Sequence, residues 1–348
     1  MFLIVKILIF ITGTTKLLVG LTTFLIPKRR KRQISLEQDF NPAEAHEIVF
    51  RIIDLNSPAT TCNPLQDFPF GLEGAFGGLG FQDKPIICGG YNNYPKYSNL
   101  KECYSLEDNG WTSAPGLNTE KVWAAVSPSP YPSGDQRFFV TGGKHDKHNE
   151  NSSLNTAEVL TEEGWKTLPQ TLPVRISKHC SVLVNSTTVM VIGGEQNARQ
   201  SSDTYLFNTE NEVWTEGPKL SKIRSHASCG RIRKDSQSQE FSIIVAGGLD
   251  ENGTTLSSVE ILDLGSNEWR AGPDFPFGIQ EAKMVEYQNG EVILVGGISY
   301  PANQPIFQLQ HGGADVDWTT KLEQMLEENL GSELAFTFLV PDSIAQCS

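Results

Sequence analysis

Five times the chain writes a Gly-Gly doublet and then, about twenty residues later, a tryptophan. The doublets are Gly89-Gly90, Gly142-Gly143, Gly193-Gly194, Gly247-Gly248 and Gly296-Gly297. The tryptophans are Trp111, Trp165, Trp214, Trp269 and Trp318, offset from the second glycine by 21, 22, 20, 21 and 21 residues. Successive doublets are 53, 51, 54 and 49 residues apart. A period near fifty residues means a repeat architecture, in which each unit buries its apolar face only against its neighbours.

Each doublet closes a short β-branched or aromatic run, such as Val189-Met190-Val191-Ile192 or Val292-Ile293-Leu294-Val295. Such runs read as buried strands. A second strand follows a polar loop (Thr204-Tyr205-Leu206-Phe207), the Trp segment makes a third, and one more precedes each doublet. Four antiparallel strands per unit describe a propeller blade. Phosphate binding by the doublets is disfavoured, since no G-x-G-x-x-G or G-K-[ST] opens a helix after them. The tryptophans, held at one register, read as blade-to-blade packing rather than ligand stacking.

The doublet after an apolar strand, the aromatic about seven residues before the Trp (Tyr104, Phe207) and the Trp itself resemble the kelch repeat over residues 48–348. Unit four departs with Leu262 in the aromatic slot, and unit five is irregular around Phe307. The resemblance implies a kelch-type β-propeller in an all-β chain. The ends set its size. Asp67-Phe68-Pro69-Phe70-Gly71 repeats as Asp274-Phe275-Pro276-Phe277-Gly278, each 22 residues before its doublet. Ile52-Ile53-Asp54-Leu55 echoes Ile261-Leu262-Asp263-Leu264. Residues 48–66 therefore look like outer strands of a blade whose inner strands come from Glu333–Val340 and Ile344–Cys347. The expectation is a six-bladed ring with one blade closed jointly by the N- and C-terminal segments, which removes an aggregation-prone edge.

Ahead of the ring, residues 2–26 are mostly apolar and are followed by Lys28-Arg29-Arg30-Lys31-Arg32. We expect 1–32 to be a signal or anchor segment with a basic processing site and 33–47 to be a linker. The apolar stretch approaches the ~20 residues that span a bilayer, so membrane anchoring through residues 2–26 is the alternative to secretion. The formal net charge is −13, and removing 1–32, with seven basic residues and no acid, takes it to about −20. So acidic a ring is a poor partner for nucleic acid.

The six cysteines suggest three disulfides on the blade map: Cys88 with Cys103, Cys180 with Cys229, and Cys62 with Cys347. Secretion would permit them, and buried thiols are the alternative. Sequons at Asn151, Asn185 and Asn252 fit a secreted chain. No ligand spacing indicates a metal, and no cofactor is expected.

Loops after the doublets and loops leading into the inner strands share one face, where recognition residues gather. They supply the candidate contacts Tyr91, Tyr94, His145, His148, Lys121, Trp123, Lys178 and Arg224. Lys121, Lys178 and Arg224 suggest a basic rim, so the expected partner is a protein or peptide with an acidic segment. Trp123 lies outside the repeat register, and Trp, Tyr and Arg are common hot-spot residues. The reading is a monomeric, non-enzymatic scaffold. Its rivals are an enzyme at the axial channel acting on a sugar or small polar metabolite, epimerase- or oxidase-like, and an actin-associated protein if the chain is cytosolic. His179 and His226, at equivalent inner-strand positions, read as packing residues.

Overall fold

The computed structural model describes residues 16–23, 48–54, 68, 71–92, 97–108, 110–128, 136–234, 238, 240–286, 290–299, 306–312, 315–322 and 332–340. The chain is an all-β propeller. Among the described residues the only helical element is a turn at Phe81–Asp83, and no helix is long and apolar enough to cross a membrane.

Blade one is the antiparallel sheet Phe76–Leu79, Pro85–Cys88, Cys103–Glu107 and Gly110–Ala114. Blade two is Ala125–Pro128, Gln136–Thr141, Ala157–Thr161 and Gly164–Thr167. Blade three is Cys180–Asn185, Thr188–Ile192, Thr204–Asn208 and Val213–Glu216. Blade four is Ser228–Arg233, Phe241–Ala246, Val259–Asp263 and Glu268–Ala271. Blade five is Lys283–Glu286, Val292–Val295, Ile306–Gly312 and Asp315–Leu322. Its irregular third strand still aligns Leu294 with Phe307 and Leu309 with Trp318.

A further sheet has the order Ile48–Asp54, Lys16–Thr23, Ser332–Val340. Ser332–Val340 packs against the inner strands of blades five and one, so the inner strands touch in an unbroken circuit. The place beside Ser332–Val340 that we assigned to Ile344–Cys347 is taken by Lys16–Thr23, from within the segment expected to be a signal or anchor. The run Leu17-Leu18-Val19-Gly20-Leu21 contains no proline, so its backbone can donate and accept along both edges. Cys62, Cys347 and Ile344–Cys347 lie outside the described residues.

The core sits between blades. Phe139 and Val159 of blade two pack with Val189, Val191 and Phe207 of blade three. Ile244 and Ile261 of blade four pack with Val292, Leu294 and Phe307 of blade five. The repeat tryptophans lie in these seams. Trp214 stands 5.0 Å from Phe207 and 6.4 Å from Phe139. Trp269 and Trp318 donate Nε1–H to Pro218 O (2.8 Å) and Pro273 O (2.9 Å) on the connection leading into their own blade. Their register is therefore one of packing.

The doublets have a steric cause. In blade three Gly193 and Gly194 have φ of +61° and +91°. A Cβ on Gly193 would lie 2.5 Å from Arg224 O, and Gly194 N–H donates to that same oxygen at 2.8 Å. The connection into the next blade runs directly over the doublet, leaving no room for a side chain.

Two disulfides join the described cysteines as the blade map suggested. Cys88–Cys103 crosses neighbouring strands of blade one, and Cys180–Cys229 ties the inner strands of blades three and four.

Candidate functional site

Each of the five described connections into an inner strand carries one residue in the left-handed region: Gly74 (φ 63°), Trp123 (54°), Lys178 (54°), His226 (54°) and Glu281 (57°). Each passes a backbone hydrogen bond to its neighbour. Trp123 N–H donates to Gly74 O (2.9 Å), Lys178 N–H to Trp123 O (3.0 Å), His226 N–H to Lys178 O (2.8 Å) and Glu281 N–H to His226 O (2.9 Å). A collar of main chain thus links the connections of blades one to five. A positive φ costs a non-glycine residue of order 1–2 kcal/mol. The backbone takes that conformation in all five described connections, but leaves the side chain unspecified.

The collar rims a cavity of about 140 Å³ lined by Glu73, Trp123, Lys178, His226, Glu281 and Lys283, with Leu72, Gly74, Ala75 and parts of the inner strands. Lys178 Nζ lies 4.8 Å from the Trp123 ring centroid and 3.0 Å from Glu195 Oε1. The fully buried Lys144 reaches the same indole at 5.6 Å and binds Glu150 (2.5 Å) and Glu195 (3.7 Å). Two ammonium groups, held by carboxylates, therefore fix Trp123 at the mouth.

Burial and the nearby charges of Lys178, Lys283 and Lys144 depress the His226 pKa to about 3, so its imidazole is neutral. Burial pushes the Glu281 carboxyl above the usual range. Their 3.5 Å contact (Nε2 to Oε1) is thus not a simple ion pair. Ser225 Oγ lies 3.1 Å from His226 Nδ1, which completes a Ser–His–Glu chain. Ser225 is fully buried, so no substrate reaches its hydroxyl and the chain is not a nucleophilic triad. His179 is also neutral, with a pKa of about 3 from burial and the Lys121 charge, and its Nε2 sits 2.8 Å from Thr141 Oγ1. It is a packing residue.

Two residues assigned to the basic rim do not reach it. Lys121 is fully buried, 3.3 Å from Glu158 and 2.8 Å from Thr156 Oγ1. Arg224 is fully buried too. It donates to Gly247 O (2.8 Å), Ser258 O (3.0 Å) and Glu260 Oε1 (2.8 Å). Glu158 accepts from Asn118 N–H at 2.8 Å, and Glu260 from Ser221 N–H at 2.7 Å, so both carboxylates are locked at equivalent points. These side chains clasp each connection to its own blade. A charge two residues before the collar faces inward, and sequence alone did not reveal that turn of direction.

In the other blades the equivalent positions hold Leu72 and Tyr104, Ile176 and Tyr205, and Ile279 and Phe307, and the last two pairs each belong to one core cluster. The clasp is either cation with glutamate or aliphatic with aromatic.

Tyr91 is buried as well, edge-on to His148 at 5.2 Å and under Lys147 at 4.5 Å, while Lys147 also pairs with Glu73. His145 and His148 are exposed, as is Tyr97 at 54%. Tyr94 lies outside the described residues. The sequons Asn151, Asn185 and Asn252 are all exposed. Glu281, Glu73 and Lys283 carry the site's remaining charge. The equivalence of Gly74, Trp123, Lys178, His226 and Glu281 across the repeat was the available signal for them.

Comparison with known proteins agrees with this geometry. The Kelch motif family matches residues 242–276, the heart of blade four. The chain is 26% identical over 145 residues to human Kelch-like protein 34, covering 38% of this chain and 21% of that protein. It is 27% identical over 186 residues to Kelch-like protein 41b of Danio rerio, covering 51% and 29%. It thus spans less than a third of the length of these relatives. A solved structure of YjhT superposes with a TM-score of 0.65 at 11% identity, over 79% of this chain and 92% of that one, a likeness of fold.

Proposed function

Since the chain is a kelch-repeat β-propeller, we propose that it is a non-enzymatic scaffold that binds a protein or peptide through the collar face. The observation that carries this is Trp123. It stands in a strained backbone conformation that packing does not require of a tryptophan, partly exposed, and braced by Lys178 and Lys144. A large amphipathic ring held rigid at a concave mouth suits a hot spot. His145, His148 and Tyr97 extend the surface outward. With Lys121 and Arg224 buried, the acidic character of the partner rests on Lys178 alone among the three cations first assigned to the rim.

The test is affinity capture with the wild-type ring and with Trp123→Ala as paired baits. A partner retained equally by both would overturn the assignment.

We place the protein in the secretory pathway, acting on the extracellular side as a monomer. The two disulfides and three exposed sequons support this. An actin-associated role would need a reducing cytosol and is not proposed. Cleavage after Arg32 and a blade strand at Lys16–Thr23 exclude each other in a chain trimmed to Gln33. The intact mass of the mature protein decides between them: loss of residues 1–32 sinks the strand, and retention sinks the processing site.

A further inference from the structure

The chain has a formal net charge of −13, yet the collar face of blade three is a basic island. Three backbone segments lie side by side there. The connection from blade two pairs with the loop after Gly193-Gly194: Ser177 N–H donates to Glu195 O (3.0 Å) and Glu195 N–H to Ser177 O (2.7 Å). The far end of that loop meets the connection into blade four, where Arg224 N–H donates to Ser201 O (3.2 Å). Each segment carries an exposed cation: Arg175, Arg199 and Lys222. Arg175 Nη1 donates to Ser153 O at 3.2 Å, and among the described residues none of the three forms an ion pair.

The acids nearby are already engaged. Glu195 is buried against Lys144 and Lys178, and Asp203 is held by Lys219 at 2.8 Å. Residues 171–178, 196–202 and 217–226 contain no acid. The equivalent places on other blades expose carboxylates: Glu120 on the connection into blade two, Glu251 on the blade-four loop and Asp274 on the connection into blade five. Arg199 is also braced. It pairs with Gln196 across a two-residue turn in which Asn197 (φ 49°) and Ala198 (62°) are both left-handed, the turn that matches the twist of paired strands. Gln196 Nε2 donates to Ser201 Oγ (3.0 Å) and Asp203 Oδ2 (3.3 Å), which ties the hairpin to its base. A cation on a braced hairpin has less backbone freedom to lose on binding.

We propose that the collar face of blade three binds an acidic segment of the protein partner through Arg175, Arg199 and Lys222. This rests on the scaffold reading and places its electrostatic contact outward from Trp123. The occupant is a short acidic stretch of peptide. A long polyanion, such as a sulfated polysaccharide, would run off the island onto Glu120, Glu251 and Asp274, where like charges repel.

The experiment is fluorescence anisotropy of the full chain with a labelled, capped hexaglutamate, with capped hexaglutamine and a heparin octasaccharide as comparison probes. We expect hexaglutamate to bind and hexaglutamine not to, and added salt to weaken the binding because the charges are exposed. Arg175→Gln/Arg199→Gln/Lys222→Gln should lose roughly tenfold in affinity, the sum of three exposed pairs, with an unchanged unfolding midpoint. Lys101→Gln/Lys166→Gln/Arg270→Gln removes the same charge from exposed positions on blades one, two and four. It should bind hexaglutamate within about twofold of wild type, since distant surface charges are screened. No binding of hexaglutamate, equal losses in the two triple variants, or tighter binding of the octasaccharide would each overturn the proposal. Affinity capture separates it from the role given to Trp123. A partner kept by the blade-three triple variant but lost with Trp123→Ala sinks this surface and leaves the Trp123 assignment standing. The opposite pattern supports this surface and sinks the Trp123 assignment.

Discussion

The clasp at Arg224 and Glu260 can be exchanged for the apolar version that the same ring uses elsewhere. Arg224→Ile alone removes three close hydrogen bonds, to Gly247 O, Ser258 O and Glu260 Oε1. It leaves a carboxylate that is 3% exposed, held only by Ser221 and Lys222. Breaking a buried pair by removing one partner costs about 3–5 kcal/mol. Glu260→Phe alone strands the guanidinium at similar cost. The double variant Arg224→Ile/Glu260→Phe recreates the Ile279 and Phe307 arrangement of blade five, and replacing a buried pair by packed apolar groups is often near neutral. We therefore expect each single variant to lose about 3–5 kcal/mol. The double should lie within about 2 kcal/mol of wild type, a coupling of several kcal/mol between touching residues. At roughly 2 °C per kcal/mol for a ring of this size, each single variant should melt some 6–10 °C early. Urea unfolding followed by tryptophan fluorescence and by far-UV circular dichroism gives the four corners of the cycle. Single variants within about 1 kcal/mol of wild type, or a double variant at the sum of the singles, would refute the clasp.

Lys178→Gly relieves a left-handed residue, so the ring should gain up to about 1 kcal/mol while partner capture weakens. A loss of stability would show that the Lys178–Glu195 contact outweighs the backbone strain. Replacing Cys180 and Cys229 by alanine should cost about 4 kcal/mol, since the bridge closes a separation of 49 residues. An unchanged denaturation midpoint would mean that the seam between blades three and four is held by packing alone. His179 and His226 have folded pKa values of about 3, below the 6.5 of the free side chain. The unfolded chain then binds more protons between these values, and stability should fall as pH drops below about 6.5, by up to ~1.4 kcal/mol per pH unit for each histidine. Hydrogen bonds from Ser221 and Arg224 outweigh burial and hold Glu260 below the usual carboxylate range, which adds a further loss below about pH 4.3. Denaturant midpoints measured from pH 8 to 4 test this, and a flat profile would contradict the neutral histidines.

The ring was readable from the chain because its cause is local and repeated. A glycine doublet under a crossing connection and a tryptophan in a seam recur in five successive blades, so their period declares the architecture. The pairings of Cys88 with Cys103 and Cys180 with Cys229 followed from that map, since strand order sets which side chains are adjacent. The direction of a side chain beside a turn was not readable. Lys121 and Lys178 each lie on a connection into an inner strand, yet one is buried against Glu158 and the other stands over Trp123. A left-handed residue reverses the backbone between the clasp and the cavity, and only the neighbouring blade determines where that reversal falls. Spacing therefore determined by itself that this chain is a propeller of four-stranded blades, and the resemblance of its repeat to the kelch motif suggested the type. The tertiary structure alone decided which of its charges build the clasps and which line the axis, because burial of a charge depends on the partner that folding brings from dozens of residues away.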